Sequence, residues 1–142
     1  MVRQRLTSAT RDLWRRLAES LRKFRTWRER LKASKETRQA RGLTLLREWL
    51  SPEQRARFDA ERCFDVVGCD SGRRYRIHHG TAGNVREIDD AGRPVMGLCF
   101  MPSGALVAGD VMLAQKIALE TNERAALAVA NRFPVPLSSG ER

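Results

Sequence analysis

The chain has 142 residues, 27 Lys/Arg against 17 Asp/Glu, and a formal net charge of +10, with 42% of its residues hydrophobic. Such a length and balance suit one small folded domain with an appendage and exclude a wholly disordered chain. Three cysteines, Cys63, Cys69 and Cys99, lack the even, dense spacing of a secreted disulfide framework, and no apolar run approaches the roughly 18–20 residues of a bilayer span.

The charge is unevenly placed. Residues 1–50 hold 15 Lys/Arg against 5 Asp/Glu, whereas residues 51–142 hold 12 of each. A cationic arm is joined to a neutral domain, and such an arm commonly binds something anionic. Residues 1–41 contain neither Gly nor Pro. At about 100° per residue, Val2, Leu6, Leu13, Trp14, Leu17, Leu21, Phe24, Trp27 and Leu31 fall within an arc of roughly 140°, which predicts an amphipathic helix of about 30 residues. Asp12 before Arg16 and Glu19 before Lys23 add favourable pairs one turn apart. The stripe fades after Leu31, where Lys35 takes its position.

Arg15, Arg16, Arg22, Lys23, Arg25 and Arg30 are the arm's candidate anion contacts. Leu13, Trp14, Leu17, Leu21, Phe24, Trp27 and Leu31 are the candidate contacts to a membrane or a partner helix. Three occupants fit these residues. A helix laid along nucleic-acid phosphates is narrowly preferred, an interfacial helix on acidic lipid comes second, and packing of the stripe on the neutral domain or on a second copy comes third. The Arg-rich start resembles an organelle transit peptide, but its length and its acidic residues speak against that reading.

Gly42 predicts the end of the long helix, leaving Leu43–Leu50 as a short helical turn. Ser51-Pro52-Glu53-Gln54 carries an N-cap Ser, a Pro at the first helical position and a Gln placed for a capping box, so a helix is expected to about Arg62. Strands follow at 63–68 and 73–79 around the turn Asp70-Ser71-Gly72. Two more follow at 85–88 and 95–101 around Asp89 to Pro94, with Gly80–Asn84 as the middle link. Asp110 is expected to cap a helix from Val111 to about Glu120. Thr121 or Asn122 would cap another from Glu123 to Arg132, continuous with the first or separate from it. Pro134 and Pro136 close the fold, and residues 137–142 are expected to fray.

The stretch from about Leu43 to Phe133, with FDVVGCDSGRRYRI, GLCFMPSG, AGDVMLAQKIALE and ERAALAVANRF, resembles a family of small, uncharacterised bacterial proteins. The resemblance covers most of the neutral domain and leaves out the arm. It implies no established activity, ligand or catalytic residue.

Catalytic and metal chemistry find little support. His78 and His79 are adjacent on a strand and point to opposite faces, so they do not chelate one ion. Strand, turn, strand, then Cys99–Pro102 and a helix resemble the element order of SWIM-type zinc modules, but the CxC pair and the Cys-x-His ligands are missing. Gly80-Thr-Ala-Gly83 has the letters of a KH loop yet links strands rather than helices. Phosphate-loop and dinucleotide fingerprints are absent. Asp65/Asp70 and Asp89-Asp90 read as turn residues rather than an acid/base pair. One constellation stands out: Arg74, Arg76 and His78 alternate onto one strand face, either as an anion-contacting strip or as a solvated face balanced by Asp65 and Glu87.

The sequence thus predicts an α+β protein. It has a long basic amphipathic helix (1–41), then a neutral domain (43–133) with a short helix, a four-stranded antiparallel meander and one or two C-terminal helices, and a tail (134–142). A non-enzymatic binding or adaptor protein without cofactor is expected in the cytoplasm, peripheral to membrane or nucleoid, with weak self-association through the stripe.

Overall fold

A stretch free of Gly and Pro can hold one helix for many turns, and residues up to 41 do so as the larger part of the first element. Helix α1 spans Val2–Trp49, 48 residues. A computed structural model describes residues 2–136, with side chains from Ser8 onward. The side chains of Val2 and Leu6 and the expected tail at 137–142 lie outside the described residues. The chain divides between Arg38 and Gln39 into two units. The first is helix alone; the second holds every other element.

Helix α2 is Pro52–Glu61, and its start is set locally: the Ser51 hydroxyl accepts from the Gln54 N–H while the Gln54 side chain accepts from the Ser51 N–H. This reciprocal pairing satisfies two otherwise orphaned donors. The sheet is built from β1 (Cys63–Val67), β2 (Arg74–His78), β3 (Val85–Ile88), β4 (Pro94–Cys99) and β5 (Asn131–Phe133), with α3 (Ala108–Thr121) and α4 (Glu123–Val129) between the last two strands. The strands lie side by side in chain order, every neighbour antiparallel. The protein is α+β.

Period-two alternation decides what is buried. Phe64 and Val66 of β1, Tyr75 and Ile77 of β2, Val85 of β3 and Leu98 of β4 enter the core. They meet Met112, Leu113 and Leu119 of α3, Phe58 of α2, Ala126 of α4, and Leu46 and Leu50 from the end of α1. Phe58 and Phe64 pack edge to face with ring centroids 6.2 Å apart. Each such large apolar side chain contributes about 1.5–3 kcal/mol on burial.

Four expectations need correction. Gly42 does not end α1, and Leu43–Leu50 is no separate turn. Gly42 lies where α3 crosses, so that a Cβ at Gly109 would collide with the carbonyl of Gly42 and the N of Leu43, and a Cβ at Gly42 would press on Val107 and Asp110. The glycine serves close approach rather than a cap. The meander has five strands, not four: α4 stops at Val129 and Asn131–Phe133 pairs with β4. Pro134 biases the residue before it to extended backbone, which favours a strand there. Asp110 is not the cap of α3, which begins at Ala108 with Val107 in the capping position. Asp65 is not a turn residue but the middle of β1.

Candidate interface for an anionic partner

Helix geometry sorts the arm's side chains into sectors. The seven described stripe residues, Leu13, Trp14, Leu17, Leu21, Phe24, Trp27 and Leu31, are all exposed, from 47% for Leu17 to 71% for Trp14. Phe24 and Trp27 stack on one another with centroids 5.7 Å apart, and the Arg28 guanidinium lies 6.0 Å from the Phe24 ring. At about 100° per residue, Arg16 and Lys23 fall along one border of the stripe, and Arg25 and Lys32 along the other. Asp12 and Glu19 fall towards the far side together with Arg15 and Arg22, and Arg30 shares the angle of Asp12. Glu29 and Glu36 lie beyond the other border, Glu36 about 40° from the stripe, as Lys23 is on its side. The six expected anion contacts are therefore exposed but not equivalent.

The second strip of expected contacts lies on the outer face of the sheet, away from α3. Strand register sets a row across all five strands: Asp65 opposite Arg76, Arg76 opposite Arg86, Arg86 opposite Gly97, Gly97 opposite Phe133. Asp65 accepts from three guanidiniums, those of Arg57 (2.9 Å), Arg74 (3.1 Å) and Arg76 (2.8 and 3.1 Å). Burial opposes its charge, but the Arg76 hydrogen bonds and the surrounding guanidiniums outweigh that and hold its pKa below the ordinary value. Glu87 stands opposite the buried Tyr75, so it belongs to the inner face, where it pairs with Arg73 at 3.5 Å. On the outer face only Asp65, of the two acids named in the sequence, balances Arg74 and Arg76. Sequence reasoning missed Arg86 on the same face, although its alternation with Val85 was readable. His78 borders it, and burial followed by the charges of Arg86 and Arg76 lowers the His78 pKa.

A third cluster joins Cys69, Asp70 and Glu123, whose ligand-type atoms lie within 4.8 Å of one another. Glu123 is 1% exposed. Its Oε2 accepts from the N–H groups of Asp70 and Ser71, both at 2.8 Å, and its Oε1 accepts from the Ser71 hydroxyl and, at 2.6 Å, the Tyr75 hydroxyl. A carboxylate offers about four lone-pair positions, and all four are occupied by donors, so these residues do not fit a metal ion. Burial works against the Glu123 charge, yet the Ser71, Tyr75 and backbone donors prevail and bring its pKa down to about 2. Burial and then Glu123 push the Tyr75 phenol well above its ordinary value. The cluster is a clasp: it ties the 68–72 turn to the start of α4, with Arg124 N–H on Asp70 at 2.9 Å and Glu123 N–H on the Cys69 sulfur at 3.4 Å.

Among the described residues no helix is long and apolar enough to cross a membrane. Compared with models of known protein families, with curated proteins and with solved structures, the chain matches none.

Proposed function

We propose that the chain is a non-enzymatic binding protein that attaches peripherally to an acidic membrane surface through the arm of α1. The observation that carries this reading is the sorting of the arm: an exposed apolar stripe, cations along both its borders, and every acid outside it. A bilayer interface accounts for all three at once. Leu13, Leu17, Leu21 and Leu31 enter the acyl boundary, Trp14, Phe24 and Trp27 sit at headgroup level, and Arg16, Lys23, Arg25 and Lys32 reach lipid phosphates, each worth about 1 kcal/mol. The acids then face water. Nucleic acid, the narrow preference from sequence alone, would leave the stripe uncovered or meet the acids. A second copy would cover the stripe but bring two strongly basic arms together.

The full-length chain with phosphatidylglycerol-containing vesicles tests this. Trp14 and Trp27 emission moves to the blue, Trp14→Ala with Trp27→Ala weakens binding about tenfold or more at unchanged charge, and vesicles of neutral lipid bind poorly. Two charge-matched variants sharpen it: Arg16, Lys23 and Arg25 to Gln lowers affinity more than Arg15, Arg22 and Arg30 to Gln. Unchanged emission with acidic vesicles, beside salt-sensitive binding of DNA or RNA by the same sample, would replace lipid with nucleic acid as the partner.

A further inference from the structure

The outer face of the sheet holds more positive charge than its acids answer. Arg76 and Arg86 stand directly opposite across β2 and β3, a like-charge placement that destabilises a sheet. Asp65 is already divided among Arg57, Arg74 and Arg76. Among the described residues Arg86 makes no ion pair. Its guanidinium is nonetheless held in place. Nη1 donates to the carbonyls of Gly83 (2.6 Å) and Val85 (3.0 Å), and the group lies 4.8 Å from the Phe133 ring centroid. That ring covers Gly97, where any Cβ would collide with it. Nε and Nη2 of Arg86 carry no hydrogen bond among the described residues. Arg76 is fixed likewise, its Nε and Nη2 on Asp65 and its Nη1 on the Gly92 carbonyl at 3.2 Å.

Between these two planar groups lies a recess of about 310 Å³ lined by Arg76, His78, Arg86, Ile88 and Pro94. We propose that this recess binds a phosphate monoester carried by a small molecule, with Arg86 and Arg76 as its cationic walls. Three features point to that ligand. Two guanidiniums held by their own contacts lose little freedom on binding; the open Nε/Nη2 fork of Arg86 matches phosphate oxygens, while Arg76, its own fork on Asp65, adds positive charge. Two facing cations suit a dianion better than a carboxylate. The volume lies at the lower end of small-molecule sites and exceeds what a bare ion fills, and Ile88 and Pro94 give the organic part an apolar rim. The site belongs to the second unit and does not depend on the arm.

The chain's two histidines make the test direct, because His78 lines the recess and His79 does not. The groups facing His78 are Arg86, Arg76, Asp65 and Arg57. Proton NMR of the full-length protein follows both imidazoles while inorganic phosphate, glycerol phosphate or adenosine monophosphate is added at constant ionic strength. Saturable movement of the His78 resonances with His79 still, and a rise in the His78 pKa on binding, are expected; the tightest of the three probes identifies the carrier. Arg86→Gln weakens binding about tenfold. Asp65→Asn, which removes the competing acid, strengthens it about threefold, whereas a merely structural role for both residues would weaken it in both. His78 unmoved by all three probes, or His78 and His79 moving together without saturation, overturns the proposal. So does Asp65→Asn binding no better than the unaltered protein.

Discussion

A carboxylate whose oxygens are all engaged by donors resists protonation, and Glu123 shows what that is worth to one small domain. Its pKa falls from an ordinary 4.5 to about 2 on folding. A depressed acid contributes stability that is complete above the unfolded value and disappears as pH falls through the folded one. The contribution, about 3 kcal/mol, is therefore present above pH ~4.5 and lost progressively towards pH ~2. Glu123→Gln presents an amide N–H₂ to groups that are themselves donors, so it should destabilise the protein by about 2–4 kcal/mol at neutral pH. It should also flatten the acid limb of stability against pH. Urea unfolding at several pH values between 2 and 6 checks both; a variant that keeps the full acid limb would show that other carboxylates set it.

At the scale of elements, backbone meets backbone at the crossing of α1 and α3, at Gly42 and Gly109. Backbone atoms cannot swing away from an added methyl, so Gly109→Ala should cost about 2–3 kcal/mol. Gly104→Ala is the comparison: its φ is +93° but nothing lies within 4 Å of the added Cβ, so only about 1 kcal/mol of backbone strain is expected. Thermal melts of the two variants decide it, and equal losses would mean the crossing can relax. The same crossing shows where sequence reading stops. Ser51 and Gln54, or Gly72 with Gly68 and Arg73 with Ser71, interact within a few residues of one another, so their chemistry is readable in place. Gly42 looks like a stop signal until Gly109 stands beside it, and nothing near Gly42 announces that. Asn131–Phe133 is too short to show alternation, and only its pairing with β4 makes it a strand. For the candidate interfaces, the arm's stripe and its cations were legible from periodicity, as were Arg74, Arg76 and the balancing Asp65; Glu87 falls on the other face. The alternation of Arg86 with Val85 was readable too, but only register sets it opposite Arg76, and Glu123 reads as an ordinary helix-start acid until the distant 68–72 turn folds onto it.

For the molecule as a whole, the division between Arg38 and Gln39 leaves the second unit with its own core, including Leu46 and Leu50. A chain shortened to begin at Gln39 should melt within a few degrees of the full-length protein. One shortened to begin at Ser51 forfeits both buried leucines, at about 2–5 kcal/mol each, and should be largely unfolded or aggregated. Differential scanning calorimetry separates the cases; a Gln39 chain that fails to melt cooperatively would make the arm a part of the fold. The order of the strands carries a further consequence, in time rather than in energy. Each of β1 to β4 pairs with the strand just before or after it, so each hairpin closes over a short loop, in about 1–10 μs, while ribosomes add about 5–20 residues per second. The pairing of these four strands needs neither Glu123 nor Phe133. The clasp on the 68–72 turn and the ring over Gly97 therefore arrive at a sheet already in register, and a chain caught before Asn131 would hold most of the architecture without the groups that lock it.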